Sequence, residues 1–265
     1  VVADLFVGDA VVGDPLSKPD AGGPRSATRL ATFATTERQP CPYLDDRDER
    51  RLFTLLHGAG ADARHETLMQ AGFRRSQNVL YRPVCPTCNA CRSVRIPAAE
   101  HRPSRNLKKI LKRNADLHLV VTAPQFSEEH YRLFRRYIEQ RHQDGGMSEM
   151  DRGSFRRMLE SSPVTTHLLE FRDGDGRLWA ASLTDEVESG LSGVYKYFEP
   201  DAPERSLGTY VILAHIDEAR RRGRPYVYLG YWIAESPKMA YKARFSPLEV
   251  LAGTRWRRVA PDELA

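Results

Sequence analysis

Cys41 and the run Cys85-Pro-Thr-Cys88-Asn-Ala-Cys91 contain all four cysteines of the chain. Thiols three residues apart lie on one side of a turn, so Cys85 and Cys88, or Cys88 and Cys91, can meet one ion, with Cys41 closing a shell of four from a distant segment. Four thiolates match a tetrahedral zinc ion or an iron–sulfur cluster. The spacing is not the doubled pair of a zinc ribbon, and buried or redox-active thiols without metal are the alternative. Such a site would staple its segment together and do no chemistry.

A second group is cationic. Six residues between Arg102 and Arg113 are positive. Of these Arg105, Lys108, Lys109 and Lys112 fall at i, i+3, i+4 and i+7 on one helical face, opposite Leu107, Ile110 and Leu111. A stripe of this kind can follow a phosphate backbone with steep salt dependence, or it can simply be a solvated face. Arg74 and Arg75 add charge from another element. The stretch from Tyr226 to Glu249 is dense in aromatic and cationic residues directly after a run that reads as a buried strand. Within it Lys238, Lys242 and Arg244 are candidates for holding a carboxylate, with Tyr195, Tyr231 and Tyr241 as hydrogen-bond donors. Asp185, at the end of a predicted strand, is the candidate base or amine anchor, and Tyr231 joins it as a catalytic candidate. A solvated turn carboxylate and ordinary surface lysines are the competing readings.

The elements that must position these groups follow from the pattern. Residues 1–26 mix Gly, Pro, Asp and Ser without periodicity and read as a disordered or extended tail. Residues 27–122 read as a small mixed α/β domain with the cysteines and the basic helix, including a helix around Glu66 to Ala71 and alternating stretches at Asn78 to Arg82 and Cys91 to Ile96. Residues 123–258 are more regular. Ser127 caps a helix with Glu128 and Glu129 in its first turn, and a second helix covers Arg152 to Leu159. Strands follow at Thr165 to Phe171, Leu178 to Thr184 and Leu191 to Phe198 as an antiparallel meander. A helix from Ser206 to Arg222 is stopped by Gly223, and Tyr226 to Leu229 reads as a buried strand. Residues 259–265 read as a tail. This order, α+β within the α/β class, resembles the acyltransferase fold of the GNAT superfamily, here preceded by the small cysteine-containing domain.

In acyl-CoA enzymes of that superfamily a loop of the form Arg/Gln-x-x-Gly-x-Gly/Ala holds the cofactor pyrophosphate before a helix. The corresponding Arg205-Ser-Leu-Gly208-Thr209-Tyr210 matches in its first half only. Tyr210 stands where backbone must approach phosphate, so the cofactor pyrophosphate is not expected against Gly208 and Thr209. An ordered helix start without a ligand is the plainer alternative.

The chain has 265 residues, 41% hydrophobic, which is enough for a real core, and a formal charge of +5 against 35 acidic residues, a modest bias towards an anionic partner. No apolar run approaches the 18 or so residues of a membrane helix, and Val1 to Val12 lacks a basic flank, so a cytoplasmic protein with no membrane partner is expected.

Several separated motifs now agree. The Tyr226–Glu249 stretch, Ser206-Leu-Gly-Thr-Tyr210, Ala71-Gly-Phe-Arg-Arg-Ser76, Tyr81-Arg-Pro83, the cysteine set and Arg141-His142 together resemble the arginyl-tRNA–protein transferase family, and more closely its short bacterial branch. The resemblance runs from about residue 30 to about residue 257. It implies transfer of leucine from leucyl-tRNA to proteins that begin with Asp or Glu, marking them for degradation through the N-degron route, with Gly208 and Thr209 facing the tRNA 3′ end and Arg74, Arg75 and the basic stripe contacting the tRNA. The much longer eukaryotic relatives transfer arginine and bind zinc or an iron–sulfur cluster through adjacent and paired cysteines, unlike the one-plus-three set here. Aminolysis of an aminoacyl ester needs no cofactor. An arginyl-tRNA-dependent enzyme, an acyl-CoA-dependent N-acetyltransferase and a non-catalytic RNA-binding module are the rival readings.

Overall fold

The computed structural model describes residues 32–141 and 147–264. The tail expected over residues 1–26, and His142 of the Arg141-His142 pair, lie outside the described residues.

The N-terminal region forms β1 (Ala34–Thr35), β2 (Gln39–Pro40), β3 (Asp48–Glu49), β4 (Arg51–Leu55), helix α1 (Ala61–Gln70), β5 (Arg74–Ser76) and β6 (Val79–Pro83). Strands β1, β4, β6 and β5, in that order, make a four-stranded sheet, and β2 pairs with β3. Then come β7 (Arg92–Pro97), α2 (Arg105–Arg113) and β8 (His118–Thr122). Although β7 and β8 fall inside the segment expected to be a separate small domain, both lie in the large sheet. The boundary near residue 122 is therefore not a boundary between sheets. Sequence patterning gives strand character and period but not the partner of a strand, and β7 finds its partners far downstream.

The remaining elements are α3 (Glu128–Arg141), α4 (Arg152–Glu160), β9 (Thr166–Arg172), β10 (Leu178–Val187), β11 (Gly190–Phe198), α5 (Leu207–Arg221), β12 (Tyr226–Trp232), α6 (Pro237–Ala240), β13 (Glu249–Ala252) and β14 (Arg255–Arg258). The large sheet runs β14-β13-β7-β12-β11-β10-β9-β8. All its pairs are antiparallel except β11 with β12, which are parallel. Helix starts follow the local chemistry. Ser127 Oγ accepts from His130 N at 3.2 Å, Asp151 Oδ1 from Ser154 N at 2.7 Å and Ser104 Oγ from Leu107 N at 3.4 Å, each satisfying an amide the helix itself cannot. Gly223, at φ +66°, ends α5.

Both faces of the large sheet are covered. Phe134, Ile138 and Phe155 of α3 and α4 pack on Leu168, Leu183 and Tyr197, and Val211 of α5 packs on Leu169, Phe171 and Ala180 of the opposite face. Leu107 of α2 and Ile212 and Ile216 of α5 meet Val94, Ile96 and Val227. The residues expected to form a C-terminal tail are tied in. Val259 N donates to Leu248 O at 2.9 Å, and the Glu263 carboxylate pairs with Arg92 and Arg257, each at 2.7 Å.

Candidate active site

Strands β11 and β12 share three register pairs, from Gly190–Tyr226 to Ser192–Tyr228, and then part. Two irregularities help to open the wedge. The β10–β11 register slips between Leu183–Tyr195 and Thr184–Gly193, leaving Val194 as an extra residue. The β12–β7 register slips between Tyr228 and Gly230. Gly230 has φ +72°, and a Cβ there would lie 2.0 Å from Arg74 Nη1, so only glycine lets the Arg74 side chain pass. Arg74 enters from β5 and donates from Nη2 to Gly193 O at 2.8 Å.

A cavity of about 220 Å³ fills the wedge. Arg74, Lys196 and Lys242 line it with Tyr195, His215 and Tyr241, and no Asp or Glu does so among the described residues. Lys196 Nζ donates to Gly208 O at 2.9 Å and stands 3.4 Å from the Tyr241 hydroxyl. Lys242 is buried, and its Nζ donates to Tyr231 O. Burial, reinforced by the charges of Arg74 and Lys196, holds the Lys242 amine well below the ordinary lysine range. His215 Nε2 sits 3.0 Å from Thr184 Oγ1, and burial, assisted by Lys196, pushes its imidazole down to about 3, so the ring is neutral. The Tyr195 hydroxyl is buried without a hydrogen-bond partner among the described residues.

The nominated residues divide sharply. Tyr195, Tyr241 and Lys242 reach the cavity, and so does Arg74, which the sequence suggested for RNA contact. Lys238 and Arg244 are exposed and do not line it. Asp185 is fully buried, and Arg75 grips it through Nε at 2.6 Å and Nη2 at 2.5 Å. Thr166 Oγ1 adds a bond at 2.8 Å, and His65 Nε2 lies 3.5 Å away. This enclosure corrects two expectations: Asp185 is not available as a base, and Arg75 is not available to a phosphate. Tyr231 is also redirected, since its hydroxyl donates to Gly72 O at 3.1 Å and Tyr81 O at 3.0 Å, joining the small sheet to the large one. Lys196 and His215 were missed. Lys196 offered one signal, as the one charged residue of the strand Gly190–Phe198.

Tyr210 is a further correction. Its ring packs edge-on to Phe171, with centroids 5.6 Å apart, and its hydroxyl donates to Leu117 O at 3.4 Å. The ring is withdrawn into the core and does not obstruct the α5 start at Gly208 and Thr209. Arg205 is committed to Asn114 Oδ1 at 3.0 Å and to Asp116, which ties the end of α2 to that start. On α2 the side chains of Arg105, Lys108, Lys109 and Lys112 are all exposed.

The four cysteines line one cavity of about 280 Å³ beneath Tyr43, Arg47 and Tyr81. All four are unbridged and partly buried. Arg47 Nη1 donates to Cys88 Sγ at 3.2 Å. A hydrogen bond from the Ala90 backbone and this arginine lower the Cys88 thiol, whereas burial and the other three sulfurs push Cys91 up to about 12. The donor chemistry suits a soft metal, but among the described residues no three His, Cys, Asp or Glu side chains are grouped closely enough to hold an ion. No helix among the described residues is long and apolar enough to cross a membrane.

A sheet that opens between two parallel strands beside a helix start, with an excess of basic groups at the opening, offers a place where a donor and a nucleophile can be aligned. The model described as "Arginine-tRNA-protein transferase, N terminus" matches residues 39–109, and "Arginine-tRNA-protein transferase, C terminus" matches residues 129–252. The chain belongs to the arginine-tRNA-protein transferase family and is an aminoacyl-tRNA–protein transferase. Among curated relatives, the aspartate/glutamate leucyltransferase of Ruegeria sp. is 51% identical over 87% of this chain and 85% of that protein. Those of Parvibaculum lavamentivorans (48% identical, 88% of this chain, 97% of the relative) and Hyphomonas neptunium (47%, 91% and 96%) are similar over comparable spans. Solved structures give slighter likenesses. L-PGS from Bacillus licheniformis has a TM-score of 0.42 at 10% identity, covering 76% of this chain and 68% of that one. FemX has 0.40 at 10%, covering 64% and 60%.

Proposed function

We propose that the chain takes leucine from leucyl-tRNA and joins it to the N-terminal amine of proteins beginning with Asp or Glu. The observation that carries this reading is the wedge cavity, where Arg74, Lys196 and the buried Lys242 meet without a single carboxylate among the described residues. An anionic group brought by the substrate supplies the missing charge. The names of the relatives, all aspartate/glutamate leucyltransferases, support the same choice of donor and acceptor.

The aminoacyl ester is already activated, so the protein contributes alignment, charge and proton transfer. Arg74 and Lys196 receive the acceptor's side-chain carboxylate, with the Tyr241 hydroxyl as an additional donor. The unpartnered Tyr195 hydroxyl donates to the oxyanion that forms as the amine adds to the ester carbonyl. The α5 start at Gly208 and Thr209 faces the tRNA 3′ end, and the stripe Arg105, Lys108, Lys109 and Lys112 follows the tRNA backbone. Such a reaction belongs to the cytoplasm, and its products enter the N-degron route. A zinc ion or iron–sulfur cluster on Cys41, Cys85, Cys88 and Cys91 would act as a structural staple only. The four cysteines line one cavity, but among the described residues no three of them are grouped closely enough to hold an ion, and no step depends on it.

The test is one assay. Labelled leucyl-tRNA, arginyl-tRNA or acetyl-CoA is offered with peptides starting in Asp, Glu or Ala. Leucine should appear on the Asp and Glu peptides alone. Arginine transfer, or acetylation, in its place would overturn the assignment. The Lys108→Glu/Lys112→Glu variant should raise the KM for leucyl-tRNA and flatten its salt dependence without changing the peptide KM.

A further inference from the structure

The transfer has a proton problem that the cavity is built to solve. An α-amine has a pKa of about 7.7–8.0, so at neutral pH most acceptors arrive as ammonium ions and cannot attack a carbonyl. A base must take that proton. Asp185 is enclosed by Arg75 and Thr166, and no other carboxylate lines the wedge among the described residues. Arg74 is always protonated, and His215 already has a hydrogen-bond partner in Thr184.

Lys242 differs from every other group there. It sits on the turn Tyr241–Arg244 that follows β12 and α6, 6% exposed, with no counter-ion among the described residues. The Tyr231 carbonyl accepts one of its N–H bonds, and the Met239 sulfur lies 3.4 Å away. The groups facing it are Arg74 from β5, Lys196 and Tyr195 from β11, His215 from α5, Tyr228 from β12 and Tyr137 from α3, with Tyr241 beside it. Of these, Arg74 and Lys196 act against a charge on Nζ, and Cys91, outside the cavity, acts weakly in the opposite direction. Burial without a counter-ion, beside Arg74 and Lys196, disfavours the charged form of this amine when the site is empty, because nothing offsets its desolvation. When the acceptor's carboxylate settles against Arg74 and Lys196, the local charge reverses and a proton on Nζ becomes tolerable.

We propose that the neutral Lys242 amine is the general base of the transfer, armed by the carboxylate of the acidic acceptor itself. Lys242 Nζ takes one proton from the acceptor ammonium, and the freed nitrogen lone pair forms the C–N bond to the leucyl carbonyl carbon. The nitrogen that has added to the carbonyl loses its second proton to water, the tetrahedral intermediate breaks its C–O bond to the ribose, and the departing ribose oxygen receives the proton from Nζ, which restores the neutral lysine. Of the two protons the acceptor nitrogen gives up, one ends on the ribose hydroxyl and one in water, so atoms and charges balance with water as the proton acceptor. The discrimination against neutral N-termini then lies in proton transfer as well as in binding. This inference rests on the leucyl-transfer reading above.

The experiment compares wild type with Lys242→Met and Lys242→Arg, using leucyl-tRNA and an Asp-initiated peptide from pH 6.5 to 9. Met keeps the volume and removes the base, while Arg keeps a cation that cannot accept a proton. Both variants should lose about 100-fold in kcat at pH 7, with an unchanged KM for leucyl-tRNA, and recover with rising pH as the peptide amine deprotonates by itself. Near-wild-type transfer by Lys242→Arg at pH 7, or a loss in both variants that does not recover towards pH 9, would assign Lys242 to carboxylate binding or positioning and overturn the proposal. A wild-type protein that fails to transfer leucine at all would instead sink the functional reading beneath it.

Discussion

Arg74 and Arg75 are neighbours on β5 and point to opposite sides, as alternate residues of a strand must. Arg75 reaches a buried carboxylate, shares it with Thr166, and leaves no room beside it. Arg74 crosses the gap left by Gly230 to reach a backbone carbonyl at the edge of a cavity that also holds Lys196 and Lys242 and, among the described residues, no Asp or Glu. The first cluster is complete within the fold, and its charges offset each other. The second is incomplete, and what it lacks is the charge a substrate would bring. Charge balance thus separates a structural arginine from a functional one where residue type and burial do not.

The largest effect should come from breaking the balanced cluster. Asp185→Ala leaves the Arg75 guanidinium buried and unpaired, which should cost about 3–5 kcal/mol in urea unfolding, while the folded fraction keeps its transfer rate. Retained stability would mean that the pair is more hydrated than its burial indicates. The next effect sharpens the other side. Gly230→Ala puts a methyl group where Arg74 now passes. The displaced guanidinium should lower kcat/KM for Asp-initiated peptides by about 10–100-fold, which corresponds to about 1.4–2.8 kcal/mol of transition-state binding. Stability should fall by only about 1 kcal/mol from the left-handed backbone. A stability loss as large as that of Asp185→Ala would remove the distinction between the two arginines.

The smallest effect concerns pH. His215 has an ordinary value of 6.5 and is pushed to about 3 by burial next to Lys196. Between these values the unfolded chain binds a proton that the native chain refuses, so stability should fall as pH drops below 6.5, by up to about 1.4 kcal/mol per pH unit. His65 and His101, lowered chiefly by their own burial, act in the same direction. Chemical unfolding of His215→Gln against wild type between pH 4.5 and 7 should show a shallower slope for the variant. Equal slopes would place the acid sensitivity elsewhere.

The sequence by itself determined α3, α4, the β9–β11 meander, α5 and β12, because caps, periodicity and the Gly223 stop are local signals that tertiary contacts had no reason to override; α6, β13 and β14 carried no such signal. It also determined that Lys242 and Tyr241 belong to a stretch dense in aromatic and cationic residues, that the cysteines form one group and that α2 is amphipathic, since each of these is a matter of spacing along the chain. Only the tertiary structure decided which cations share a cavity. Lys238 and Arg244 flank Lys242 within one short segment yet face solvent, whereas Lys196 and Arg74 come from strands far apart in sequence. It also decided that Asp185 belongs to Arg75 and that β7 crosses into the large sheet. The physical reason is the same in each case: strand pairing and ion pairing are choices among distant partners, and they are settled by which surfaces the packed core brings together.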